Sequence, residues 1–110
     1  MAFASPAYEN KRSKREWHHI VAKGARNATR AKAKLTAVGI NVNDDVNLIW
    51  LQTGLHRRIH TDLYYGWANS VVISAYNSAR GNDALERTRV LEALMVLRTF
   101  LGTLNETAPF

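Results

Sequence analysis

The chain contains no cysteine. That absence excludes a disulfide framework, a thiolate zinc site and a cysteine nucleophile, and it confines any metal to nitrogen and oxygen ligands. Long apolar runs are missing as well. The longest, Ala93-Leu94-Met95-Val96-Leu97, is far short of a membrane span. The stretch from Met1 to Arg15 lacks the apolar core of a signal peptide, so export would need another carrier. At 110 residues the chain is expected to form one domain with a single modest core.

Acidic residues are scarce in one region only. Residues 1–34 hold nine Lys or Arg against two Glu, whereas the remainder holds six basic against seven acidic residues. One third of the chain thus supplies essentially all of the +6 net charge. This asymmetry points to a polyanionic partner, nucleic acid first and an anionic membrane surface second. Lys11, Arg12, Lys14 and Arg15 form a basic block at the end of a polar lead-in with no apolar period. Residues 1–15 are therefore read as a flexible basic arm or linker, and residues 16–110 as the domain.

Along the domain, Trp17 to Val21 reads as a first short strand ended by Lys23 and Gly24. An Ala-rich helix is expected from Ala25 to Val38, with Ala28, Ala31, Leu35 and Val38 as its apolar stripe and Gly39 just beyond its end. Asn47 to Leu51 reads as a second strand antiparallel to the first. A further helix is expected from near Leu55 to Ala79, N-capped by Thr53 and with Gly66 as the point where it could bend. Asp83 is the expected cap of the last helix, 84–104, whose Val90, Leu91, Leu94, Leu97, Leu101 and Leu104 recur at helical spacing. The fold class is α+β, mainly helical, with a short two-stranded antiparallel hairpin and additional packing helices. Tyr64, Tyr65 and Trp67 are read as core rather than base-stacking groups.

Histidine is as telling as it is rare. There are four, and their spacing is that of ligands. His56 and His60 are four apart, so on a helix they share one face and can grip one ion. His18 and His19 are neighbours on an extended segment, and their side chains must leave the backbone in different directions. One of the pair can complete a three-histidine site while the other stays free for acid–base work. Three imidazoles with open positions suit a catalytic metal acting on a phosphodiester, with the free histidine to deprotonate water. Arg57 and Arg58, beside His56, and Arg15 are candidate phosphate contacts that would position a backbone without reading sequence. A structural metal in a noncatalytic nucleic-acid-binding module is the alternative. It needs a fourth ligand, for which Asp62 is available.

The order His18-His19, Asn47, His56, His60 resembles the HNH nucleases of the ββα-metal, or His-Me finger, superfamily. The segments "EWHHIV" and "GINVNDDVNLIWL", with the two later histidines and "YY", are similar to the AHH family of bacterial toxin nucleases and to the nuclease domains of DNase colicins. The resemblance covers residues 16–70. It implies that His18, His56 and His60 ligate one divalent ion (Zn, Ni, Mg or Mn) and that His19 is the general base. It also implies that Asn47 holds the loop and orients His19, with Glu16 and Arg12 as a supporting pair. The implied activity is a metal-dependent DNA endonuclease of low sequence specificity. It would be the monomeric toxin module of a bacterial competition system, carried within a larger toxin to the target-cell cytoplasm and neutralised by a cognate immunity protein. A phage or mobile-element HNH endonuclease is the related alternative. One departure is clear: Trp17 stands where that family has alanine.

Overall fold

A computed structural model describes residues 15–107. The expected arm over residues 1–15, apart from Arg15, and Arg12 with it, lie outside the described residues. The chain forms β1 (Arg15–His19), a 3-10 turn (Arg26–Ala28), α1 (Thr29–Ala37), a second 3-10 turn (Asp45–Asn47) and β2 (Leu48–Gln52). These are followed by α2 (Thr53–Ile59), α3 (Asp62–Ser78) and α4 (Asp83–Thr107). The fold is mainly helical α+β, and β1, β2 and α2 make the expected ββα unit. No described helix is long and apolar enough to cross a membrane.

The hairpin pairs Trp17 with Trp50 and His18 with Ile49 in antiparallel register. Strand alternation then decides which ring goes where. Trp17 faces outward, while His18 and, past the strand end, Ile20 point into the core. Leu51 from β2 and Leu55 from α2 join them there. Val72 and Ala68 of α3 and Val90, Leu94, Leu97 and Leu101 of α4 close the core from the other side. The periodic apolar positions of α4 thus form a buttress under the hairpin.

Helix α1 begins later than its sequence suggests, because Arg26–Ala28 form a tighter 3-10 turn. Its third residue, Ala31, donates its backbone N–H to Asn69 Oδ1 of α3 at 2.8 Å, so a neighbouring helix satisfies an otherwise orphaned donor. At the other end Gly39 adopts φ +79°. Its N–H reaches Thr36 O at 3.0 Å and that of Ile40 reaches Leu35 O at 2.8 Å, a Schellman stop that glycine makes cheap.

One expected element divides. The helix expected from Leu55 to Ala79 breaks at His60–Thr61, and α3 runs unbroken through Gly66. His60 leaves helical geometry with ψ +71°, and Thr61 caps α3 by accepting the Tyr64 N–H at 3.2 Å. The cap was legible as Thr-Asp, but the His56/His60 spacing argued for continuity. Two other caps also differ. Gln52, extended and making no side-chain capping bond, precedes α2 in place of Thr53. Asn82 Oδ1 accepts the Leu85 N–H at 3.1 Å ahead of α4, where Asp83 had been expected.

Candidate metal centre and catalytic cleft

His18, His56 and His60 converge. Each offers a ring nitrogen, and the three atoms lie within 4.8 Å of one another. His18 comes from β1, His56 from the middle of α2 and His60 from its C-terminal end. The rings meet edge to face, with the His18 centroid 5.0 Å from that of His56 and 5.5 Å from that of His60.

Hydrogen bonds assign the free nitrogen of each ring. Tyr64 donates its hydroxyl proton to the Ile20 carbonyl at 2.8 Å. It therefore accepts from His18 Nε2–H, 3.2 Å away. That leaves His18 Nδ1 unprotonated, buried and without a hydrogen-bond partner. His56 Nδ1–H donates to Glu16 Oε1 at 2.7 Å, which turns Nε2 toward the cluster. His60 Nδ1 bonds Tyr65 Oη at 2.5 Å, and its Nε2 faces His56 Nε2 at 2.7 Å. Two facing imidazole nitrogens this close need a proton or a cation between them. An orphaned buried nitrogen beside them completes a donor set that fits a divalent ion, with each outer ring nitrogen held by a Tyr or Glu as ligating histidines usually are.

Electrostatics favour the neutral, ligating form. Burial, and then the neighbouring His56, His60 and His19, push the His18 pKa down to about 3. Burial and His56 also lower that of His60, against an opposing pull from Glu16. The Tyr64 hydroxyl is pushed well above the phenol range by burial and by Tyr65, so it stays protonated to hold Ile20 and His18.

His19 stands apart from these three. Its Nε2–H donates to Asn43 Oδ1 at 2.9 Å, and Nδ1 lies outside that bond. The sequence-based expectation gave this orienting bond to Asn47, but the side chain of Asn47 is fully occupied elsewhere. Its Oδ1 accepts from Val21 N at 2.8 Å, and its Nδ2 donates to Val21 O at 3.0 Å and Val42 O at 2.8 Å. Its backbone carbonyl also accepts the Ile20 N–H at 2.7 Å. Asn47 thus clamps the exit of β1 to the 40s loop. Asn43 itself is presented by a turn in which Asn41 N bonds Asp44 Oδ2 and Asn43 N bonds Asn41 Oδ1, both at 2.8 Å.

His19, His56 and His60 open into one cleft of about 550 Å³, lined also by Trp17, Lys23, Arg26, Asp62 and Tyr65. Lys23 and Arg26 are cations that follow the first strand, Lys23 at its expected end and Arg26 at the start of the Ala-rich segment. Only the reversal of the chain after β1 brings them to the histidines. Arg57 and Arg58 are exposed on α2 but do not line this cleft, and neither does Arg15 on β1. Tyr64 and Tyr65, read as core, hold two of the site histidines. Their spacing of four and five residues after His60 was the available signal.

No curated protein and no solved structure matches the chain. Residues 3–99 match the model of the AHH family, a nuclease family of the HNH/ENDO VII superfamily with conserved AHH. This stretch is wider than the 16–70 that carries the motif, and the alanine of the conserved triplet is Trp17 here. With nearly its whole length matched and with paired histidines, asparagine and later histidines in the expected order, the chain belongs to the AHH nuclease family of the HNH/ENDO VII superfamily.

Proposed function

We propose that this chain is a metal-dependent endonuclease that hydrolyses DNA phosphodiesters with little sequence preference. The observation that carries the reading is the division of the four histidines. Three rings share a focus, and the fourth lines a cleft with two of them and has its own hydrogen-bond partner. His18 through Nδ1, and His56 and His60 through Nε2, would hold the ion. Bound there, a divalent cation supplies charge stabilisation for the phosphoryl and leaving oxygens.

The chain's own residues supply the rest. His19 Nδ1 takes a proton from the attacking water, and the bond from Nε2–H to Asn43 fixes the tautomer that leaves Nδ1 free. Glu16 steadies His56, as Tyr65 steadies His60. Lys23 and Arg26 hold the substrate phosphate against the histidines without reading bases. Imidazole ligands favour zinc or nickel by affinity, with magnesium or manganese as the abundant competitors.

Resemblance to bacterial toxin nucleases supports a toxin role. The chain would then act in a target-cell cytoplasm after delivery within a larger protein, and an immunity protein with an acidic surface would neutralise it. A structural-metal module is the weaker reading, because a closed site requires four ligands and the described cluster supplies three. A plasmid-nicking assay with EDTA and with added Mg²⁺, Mn²⁺, Ni²⁺ or Zn²⁺ tests the proposal. Nicking that EDTA abolishes and at least one of these ions restores is expected. Folded wild-type protein that cuts nothing with any of them overturns it.

A further inference from the structure

The cleft has one wall that the hydrolytic chemistry does not use. Trp17 is 58% exposed, yet it lines the same cleft as His19 and His60. Its partner across the hairpin is Trp50, with ring centroids 4.6 Å apart at an interplanar angle of 62°. An edge-to-face contact of this kind covers at most one face of each indole and fixes the ring's attitude. The family's conserved triplet has alanine at this position, so the ring is not a requirement of the ββα unit.

We infer that Trp17 forms a nucleobase-stacking subsite beside the scissile phosphate, so that the preferred substrate is single-stranded or locally unpaired nucleic acid. This inference rests on the nuclease reading. Lys23 and Arg26 give the cleft a cationic phosphate-binding wall, opposed among its lining residues by the single carboxylate of Asp62. Phosphate and base of one nucleotide are joined by one sugar, so an aromatic face in that same cleft meets the base. A base within a duplex already has both faces stacked and cannot offer one to Trp17, whereas an unpaired base can. Every base has a π-face, so the subsite adds affinity without sequence preference.

The experiment uses the Zn²⁺-loaded full chain in a His19→Ala background, so that strands stay intact. Fluorescence anisotropy then compares a labelled twelve-nucleotide single strand, the same strand with abasic sugars at every position, and the matching duplex. The chain with Trp17 intact is expected to bind the single strand about 5- to 150-fold more tightly than the abasic strand, the range for one stacked base. Trp17→Leu, which keeps an apolar residue on the hairpin, should lose that ratio, and Trp17→Phe should keep part of it. Circular dichroism checks that each variant is folded. Unchanged single-strand binding in Trp17→Leu overturns the inference, since the ring then serves the hairpin or a protein partner. An equal loss on the abasic strand overturns it too, because only the scaffold has then been damaged. None of these readouts needs cleavage, so failure of the nuclease reading would show separately as absence of plasmid nicking by the wild-type chain.

Discussion

His18 and His19 are consecutive residues, and the chain puts them in opposite media. The His18 ring is 1% exposed, wedged against Tyr64 and two other imidazoles, and its Nδ1 has no hydrogen-bond partner. The His19 ring opens to the cleft and is steadied by a polar side chain from a loop. Strand geometry alone produces the split, since successive side chains leave opposite faces. Desolvation keeps the inner ring neutral, whereas the outer ring lies half-buried at the cleft wall. Adjacent copies of one residue type thus sit in two environments with no difference in intrinsic chemistry.

The contrast can be broken most severely at the outer ring, the proposed general base. His19→Ala is expected to lower DNA cleavage by roughly 10²- to 10⁴-fold, the usual worth of a positioned general base, while thermal unfolding stays close to wild type. A comparable loss of fold in His19→Ala would erase the distinction between the two rings.

The inner ring should reveal itself through acid. Its folded-state pKa is lowered from 6.5 to about 3, so the native state refuses a proton that the unfolded chain accepts. The stability from its neutral burial is therefore complete above pH 6.5 and is lost as pH falls from 6.5 toward 3. Its full loss is on the order of 4–5 kcal/mol, a large share of a small domain's total. Urea unfolding of metal-free protein at pH 7.5, 6 and 5 should show falling midpoints. His18→Gln should flatten that trend, and a pH-independent wild type would contradict it.

A smaller effect sharpens the ligand side. Glu16→Gln keeps an acceptor for His56 Nδ1–H but removes its charge, and about 10- to 100-fold weaker metal binding is expected by isothermal titration calorimetry. Undiminished affinity would mean that the 2.7 Å contact between Glu16 and His56 only ties the hairpin to α2.

Much of this arrangement was legible in the sequence. Alternation through Trp17, His18, His19 and Ile20 fixed which side of the hairpin each ring takes, and the period of Val90, Leu94, Leu97 and Leu101 gave the buttress. The position of Asn47 was readable, but its hydrogen bonds were not. Three backbone groups take up its amide, two of them on buried Val21, where an unmade hydrogen bond would be costly. The orienting role passes to Asn43, four residues earlier, through a turn whose geometry depends on Asn41 and Asp44. Lys23 and Arg26 were hidden for a different reason. Charge patterning reports which residues face solvent but not which solvent-facing residues border a cleft, and a chain reversal settles that. The helix break at His60 escaped because a histidine pair four apart fits a continuous helix as well as one that ends on its second ring.

In the proposed site three imidazoles share one cation while the fourth stays unligated. Zn²⁺ titration calorimetry on the wild type and the four single alanine variants tests it most directly. One ion per chain is expected, with stoichiometry and affinity nearly unchanged in His19→Ala and strongly weakened in each of His18→Ala, His56→Ala and His60→Ala. Loss of binding in His19→Ala, or retention of it in His18→Ala, would contradict the account.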